Sequence, residues 1–98
     1  MSYARTLEEH RRLAVLTHLA DAPGHASNAD ILYDVVNGVG IATARDVLAA
    51  SLAWLAEGGL LTLEDRGVIL VATATARGLD VASGRAQHPG VKRPAPRG

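Results

Sequence analysis

The side chains able to do covalent or metal chemistry are few in this 98-residue chain, and they do not cluster. The sequence has no cysteine, which excludes disulfides, thiolate metal sites and cysteine nucleophiles. Its histidines have no His-x-His or His-x-x-His spacing, so no metal site is predicted. No serine has an evident His/Asp partner, and no carboxylate pair sits in an apolar context. We therefore expect neither an enzyme nor a bound cofactor.

Positive charges are the better candidates for function, because they concentrate at the C-terminus. Ten basic residues balance ten acids overall, but residues 85–98 hold four basic residues and no acid. A basic segment of this kind can contact phosphates, so Lys92, Arg93 and Arg97 are predicted DNA contacts. The same segment could instead dock on an acidic protein surface or form a solvated end. The rest of the chain holds six basic residues against ten acids, unlike the even basic footprint of a strong DNA binder.

The elements that must position these residues begin with three helices, predicted from the helical spacing of apolar residues. Each predicted helix starts at a capping residue: Thr6, then Ser27 or Asn28, then Thr43. The predicted ends are Ala20, Asn37 and the Gly58-Gly59 pair.

Beyond Gly59 the pattern changes from helical to extended. Residues 60–64 and 68–72 are short β-prone runs around Asp65-Arg66-Gly67, which predicts a β-hairpin. Thr73 or Thr75 then caps a fourth helix to about Ser83. The expected fold is mainly α with a small β-hairpin, in the order of a winged helix-turn-helix. We expect one domain over residues 1–85 and a basic, Pro-rich extended tail over residues 86–98, since the tail has little apolar surface.

Three stretches carry a resemblance to known families. Residues 51–61 (SLAWLAEGGLL) resemble a recognition helix entering the wing of bacterial ArsR-like and MarR-like regulators. Residues 74–78 (ATARG) resemble the Leu-Thr-x-x-Gly entry to the following helix, with Ala74 in place of the Leu. From RRLAVL at 11–16 to HPGVKRP at 88–94, the chain is similar to a small family of Mu-like phages and prophages, called ArsR-like by fold. This resemblance implies a phage or prophage origin and a winged-helix fold, without a biochemical activity.

In a winged helix, the third helix enters the major groove and the wing meets the DNA backbone. The predicted contacts are therefore Thr43, Arg45 and Ser51 on the third helix and Arg66 at the wing tip. A surface ion pair is the competing interpretation for Arg45, and a solubilising turn residue for Arg66. Trp54, the only tryptophan, either bridges the third helix to the wing or anchors a dimer.

These patterns predict a winged-helix protein that binds double-stranded DNA as a homodimer, acting as a phage or prophage transcriptional regulator. The alternative is a non-enzymatic adaptor that binds a phage or host protein during assembly or packaging. The alanine-rich third helix and the acidic body favour this alternative. No apolar run approaches the ~20 residues of a membrane span, and no signal peptide is visible. We therefore expect no membrane association and a cytoplasmic location.

Overall fold

The computed structural model describes residues 2–96, and its elements follow the predicted order of three helices, a hairpin and a fourth helix. A single 3₁₀ turn (Pro23–His25) follows the first helix. The elements are α1 (Tyr3–Asp21), β1 (Ala26–Asn28), α2 (Ala29–Gly38), α3 (Arg45–Glu57), β2 (Leu61–Asp65), β3 (Leu70–Ala74) and α4 (Ala76–Ser83). The predicted fold class, mainly α-helical with a small β-hairpin, is confirmed.

Side-chain caps start three of the helices, two of them where the sequence predicts. The side chains of Asn28 and Thr75 accept hydrogen bonds from the third residues of α2 and α4. The helix α1 begins earlier than expected, because Ser2 rather than Thr6 is its cap. Thr43 is not the cap of α3: the helix begins at Arg45 without a side-chain cap, because the Thr43 hydroxyl is engaged elsewhere.

The hairpin belongs to a three-stranded antiparallel sheet with the order β1-β3-β2. The register pairs Leu61 with Ala74 and Asp65 with Leu70 across the hairpin. On the other edge of β3, Ser27 lies opposite Ala72. Residue 27 therefore lies in a strand and not at the predicted helix start. Three residues are too few to show the alternating pattern from which a strand is predicted.

Leucine and valine build the core, with α1 in contact with the other three helices. In α3 the leucines Leu48, Leu52 and Leu55 are buried, but Val47 is 36% exposed. In α4 Val81 is buried. The fully buried large side chains are Leu16, Leu19, Leu32, Leu52, Leu55, Leu60 and Leu61.

The first turn of α4 rests directly on the backbone that leads into the hairpin. Thr75 donates its backbone N–H to the carbonyl of Leu60 (3.1 Å) and its hydroxyl to that of Gly59 (2.7 Å). A Cβ added to Gly78 would lie 1.9 Å from the Leu60 carbonyl oxygen. This close approach explains a glycine inside a helix, where it otherwise costs stability.

We expect Gly78→Ala to destabilise the domain by at least 3 kcal/mol, because α4 must move off the hairpin entry. Gly38→Ala is the matched control, since its added Cβ would meet nothing within 4 Å. The control variant should lie within about 1 kcal/mol of the wild type. Chemical denaturation followed by circular dichroism measures both, and equal stability of the two variants would contradict the packing argument.

Candidate interaction surfaces

Thr43 and Ser51, both predicted to contact DNA, are buried beneath α3 and do not reach a ligand. The Thr43 hydroxyl donates to the Ile41 carbonyl (2.7 Å) and accepts from Arg11 Nε (2.8 Å). The Ser51 hydroxyl donates to Glu8 Oε2 (2.6 Å). Their prediction as DNA contacts is wrong, because these polar groups of the α3 region face α1 instead of solvent.

Arg11 is the centre of this buried network, and its bonds reach beyond its own helix. Its guanidinium pairs with Glu8 and also donates to the carbonyl of Ala42 (3.2 Å). Glu8 accepts a further bond from Arg12 Nε (3.0 Å). The bonds from Arg11 to Thr43 and Ala42 span more than thirty residues of sequence, so no local spacing indicates them, whereas the pairings with Glu8 lie within one helical turn.

Arg45 and Arg66 are exposed as predicted, but a carboxylate neutralises each of them. Arg45 Nη1 lies 2.7 Å from Asp30 Oδ1, and its guanidinium carbon lies 4.4 Å from the Tyr33 ring centroid. The hydrogen bond that Arg45 donates to the Asp30 carboxylate raises the pKa of Arg45 above its ordinary value. Arg66 donates through Nε and Nη2 to one oxygen of Glu64 (2.9 and 2.8 Å). The surface ion pair, one of two interpretations of Arg45, is therefore formed.

We call the exposed positions of residues 45–53 and 64–69, together with Asp30, the α3–wing surface. Its carboxylates outnumber its guanidinium groups by four to two. Between its charged ends, the outer face of α3 presents Val47 and small alanines. At the hairpin tip, Val68 is 96% exposed and Ile69 is 42% exposed. Its acids are Asp30, Asp46, Glu64 and Asp65, and its exposed alanines are Ala49, Ala50 and Ala53.

Trp54 connects α3 to α1 and to the C-terminal residues, and its contact with the wing stays a prediction. The Arg12 guanidinium lies 3.7 Å from the centroid of the Trp54 ring. The His88 ring meets the same indole edge-on at 5.5 Å. Arg12 also donates to the Gly90 carbonyl (2.8 Å), which ties this cluster to the backbone of the C-terminal segment. The alternative role as a dimer anchor stays a prediction.

Residues 86–96, which we call the C-terminal strap, pack against the domain instead of extending away from it. Val91 is 8% exposed and joins the core, and the backbone N–H of Lys92 donates to the Glu9 carbonyl (3.1 Å). A Cβ at Gly90 would lie 2.8 Å from the Trp54 ring, so glycine permits the close approach. The side chains of Lys92 and Arg93 are exposed beside α1 and α4, and Arg97 lies outside the described residues.

An apolar groove of about 670 Å³ runs between the outer face of α1 and the end of α2. None of its lining residues is Asp, Glu, Lys or Arg. Tyr3 and Val39 at its rim are 77% and 64% exposed. The α1–α2 groove, as we call it, is lined by Tyr3, Thr6, Leu7, His10, Leu13, Ala14, Thr17, His18, Val35, Val39 and Ile41.

Comparison with known proteins identifies relatives in a phage and a bacterium. Over 91 residues the chain is 46% identical to uncharacterized protein gp26 of Escherichia phage Mu, covering 93% of this chain and 94% of that protein. The chain belongs to the family of phage Mu protein gp26. A Haemophilus influenzae protein of this family is 36% identical over 80 residues, which cover 81% and 78% of the two chains. The predicted Mu-like phage family is thereby confirmed, whereas no family model matches the chain.

Two further findings concern metal ions and membranes. Residues 2–96 contain no group of three or more His, Asp or Glu side chains placed to hold a metal ion. In the same part of the chain, no helix combines the length and the apolar character needed to cross a bilayer.

The buried network predicts a large effect of Glu8→Ala, because the variant leaves Arg11 in the interior without its carboxylate. We expect a loss of about 2–3 kcal/mol of unfolding free energy. Glu9→Ala is the control, since no side-chain hydrogen bond of Glu9 is found within residues 2–96. Urea denaturation compares the two, and an equal loss in both would show that the network adds no stability.

The strap predicts that truncation after Arg85 lowers the melting temperature by several degrees, because Val91 and the Trp54 partners His88 and Gly90 are removed. Val91→Ala alone should cost about 1–2 kcal/mol, from two buried methyl groups. Lys92→Ala, at an exposed side chain, serves as the control and should leave stability unchanged within about 0.5 kcal/mol. Calorimetry measures all three, and an unchanged melting temperature of the truncated chain would show that the strap is a passive tail.

Proposed function

We propose that this chain is a non-enzymatic adaptor of Mu-like phages that binds a protein through the α3–wing surface of a winged-helix scaffold. The order of its elements supports the scaffold. Three helices precede the hairpin, and a short strand before α2 completes the sheet β1-β3-β2. In winged-helix proteins this arrangement exposes the third helix and the hairpin tip as one contact surface.

The composition of the α3–wing surface is the observation that carries the proposal. Its four carboxylates against two guanidinium groups repel a phosphate backbone. The exposed alanines of α3 can read bases only by contact with a thymine methyl group. Exposed apolar side chains such as Val68, next to polar ones, are typical of protein interfaces.

DNA binding by a transcriptional regulator is the second candidate, and the positions of Arg45 and Arg66 favour it. Both arginines are exposed, one at the start of α3 and one at the wing tip. An ion pair at a surface is weak enough to exchange for a phosphate contact. In this case a homodimer would place two α3 helices about one turn of DNA apart, which compensates for few contacts per chain.

The adaptor proposal is tested by cross-linked pull-down from phage-infected cells treated with nuclease. The wild type should recover one phage or host protein, and Val68→Asp should reduce that recovery at least tenfold by placing a charge at the tip. Gln87→Asp, which adds the same charge at an exposed position of the strap, is the matched control and should leave recovery unchanged. Equal recovery by the two variants would contradict the assignment of the partner to this surface.

Fluorescence anisotropy with phage DNA fragments tests whether DNA is the partner instead of a protein. If the adaptor proposal is right, Arg45→Ala and Arg66→Ala give the same anisotropy as the wild type at every DNA concentration. If DNA is the partner, each variant weakens binding and lowers the slope of log affinity against log salt by about one. This second outcome would replace the adaptor with the regulator.

A further inference from the structure

Two apolar features of the described residues have no partner within the chain, and they differ in shape. One is a knob, the hairpin tip with Val68 at 96% and Ile69 at 42% exposure. The other is a hollow, the α1–α2 groove of about 670 Å³. We propose that the hairpin tip of one copy binds in the α1–α2 groove of the next copy, so that the chain assembles head to tail. This inference rests on the proposed function, because it takes the same hairpin tip to be a protein-binding site.

The chemistry of the two features is complementary. The groove offers apolar side chains with no formal charge, and its polar members include His10 and His18. The tip presents two aliphatic side chains beside Asp65 and the Glu64–Arg66 pair. No carboxylate in the groove opposes those of the tip, and an imidazole N–H can donate to a carboxylate. A phosphate backbone finds no cation in the groove, which makes nucleic acid a poor occupant.

The two features share no residue, so the contact is heterologous. Each copy then keeps a free groove at one end and a free tip at the other, and the contact repeats into a ring or an open chain. A single contact also covers both exposed apolar features at once. Two copies that used the groove alone would leave Val68 and Ile69 in water.

The size of the contact sets the expected strength. Eleven residues line the groove, against 20–30 residues on each side of an interface of standard size. We therefore expect weak association, with a dissociation constant of about 10 μM or higher for a single contact. Closure into a ring would strengthen the assembly without any new contact, since the last contact forms within one assembly.

Sedimentation velocity of the full chain over a range of concentrations tests the proposal. The mass should rise above the 10.2 kDa of one copy as concentration increases. Val68→Asp and Val39→Asp should each stay monomeric, because one removes the knob and the other charges the rim of the hollow. Both positions are exposed, so circular dichroism should show an unchanged fold, and Gln87→Asp should assemble like the wild type.

Mixing the two monomeric variants distinguishes head-to-tail assembly from symmetric pairing. The Val68→Asp chain keeps its groove and the Val39→Asp chain keeps its tip, so an equimolar mixture should form a one-to-one dimer and nothing larger. A mixture that stays monomeric, or a wild type that stays monomeric at about 0.5 mM, overturns the inference. If the wild type is monomeric and Val68→Asp reduces recovery of the phage or host protein, the head-to-tail inference is wrong and the adaptor proposal stands. If the chain assembles and Val68→Asp does not reduce that recovery, the adaptor proposal alone is wrong.

Discussion

The burial of one positive charge on α1 determines which polar side chains of the molecule remain free to bind a ligand. Arg11 is 6% exposed, and its guanidinium must be satisfied inside the domain. It takes Glu8 from its own helix and Thr43 from the turn before α3. Glu8 in turn accepts from Ser51, so α3 is held against α1 by polar contacts as well as by its leucine stripe. The hydroxyl groups that could have faced a ligand are therefore used inside the domain.

The elements of this fold could be predicted because their signals are local. Helical spacing, the caps at Asn28 and Thr75 and the turn at Gly67 each lie within a few residues of what they determine. The direction of a polar side chain at the edge of a helix stripe is not local. Ser51 lies between an inner and an outer face, and only Glu8, forty-three residues away, decides which face it joins. The order of the elements could thus be predicted, but the burial of Thr43 and Ser51 could not.

The prediction that the strap extends away from the domain is wrong for a related reason. The number of apolar residues in a segment does not include the apolar surface of the domain on which that segment can pack. One aliphatic residue, Val91, is enough here because Trp54 and Arg12 also contact the neighbouring Gly90. Gly90 then lets the backbone approach the indole ring. The composition of a segment sets the conformational entropy that is lost when it becomes ordered. The free energy gained by packing depends on residues far away in the sequence.

The positions of the charges decide more about function here than the fold does, because one fold can carry either DNA-binding or protein-binding surfaces. The exposed cations of the α3–wing surface are each paired with a carboxylate. The side chains of Lys92 and Arg93 in the strap are exposed beside α1 and α4. A chain with zero net charge can still bind DNA if its cations converge on one face. On the α3–wing surface the two cations are offset by four carboxylates, and the apolar tip and groove remain exposed in the described part of the chain.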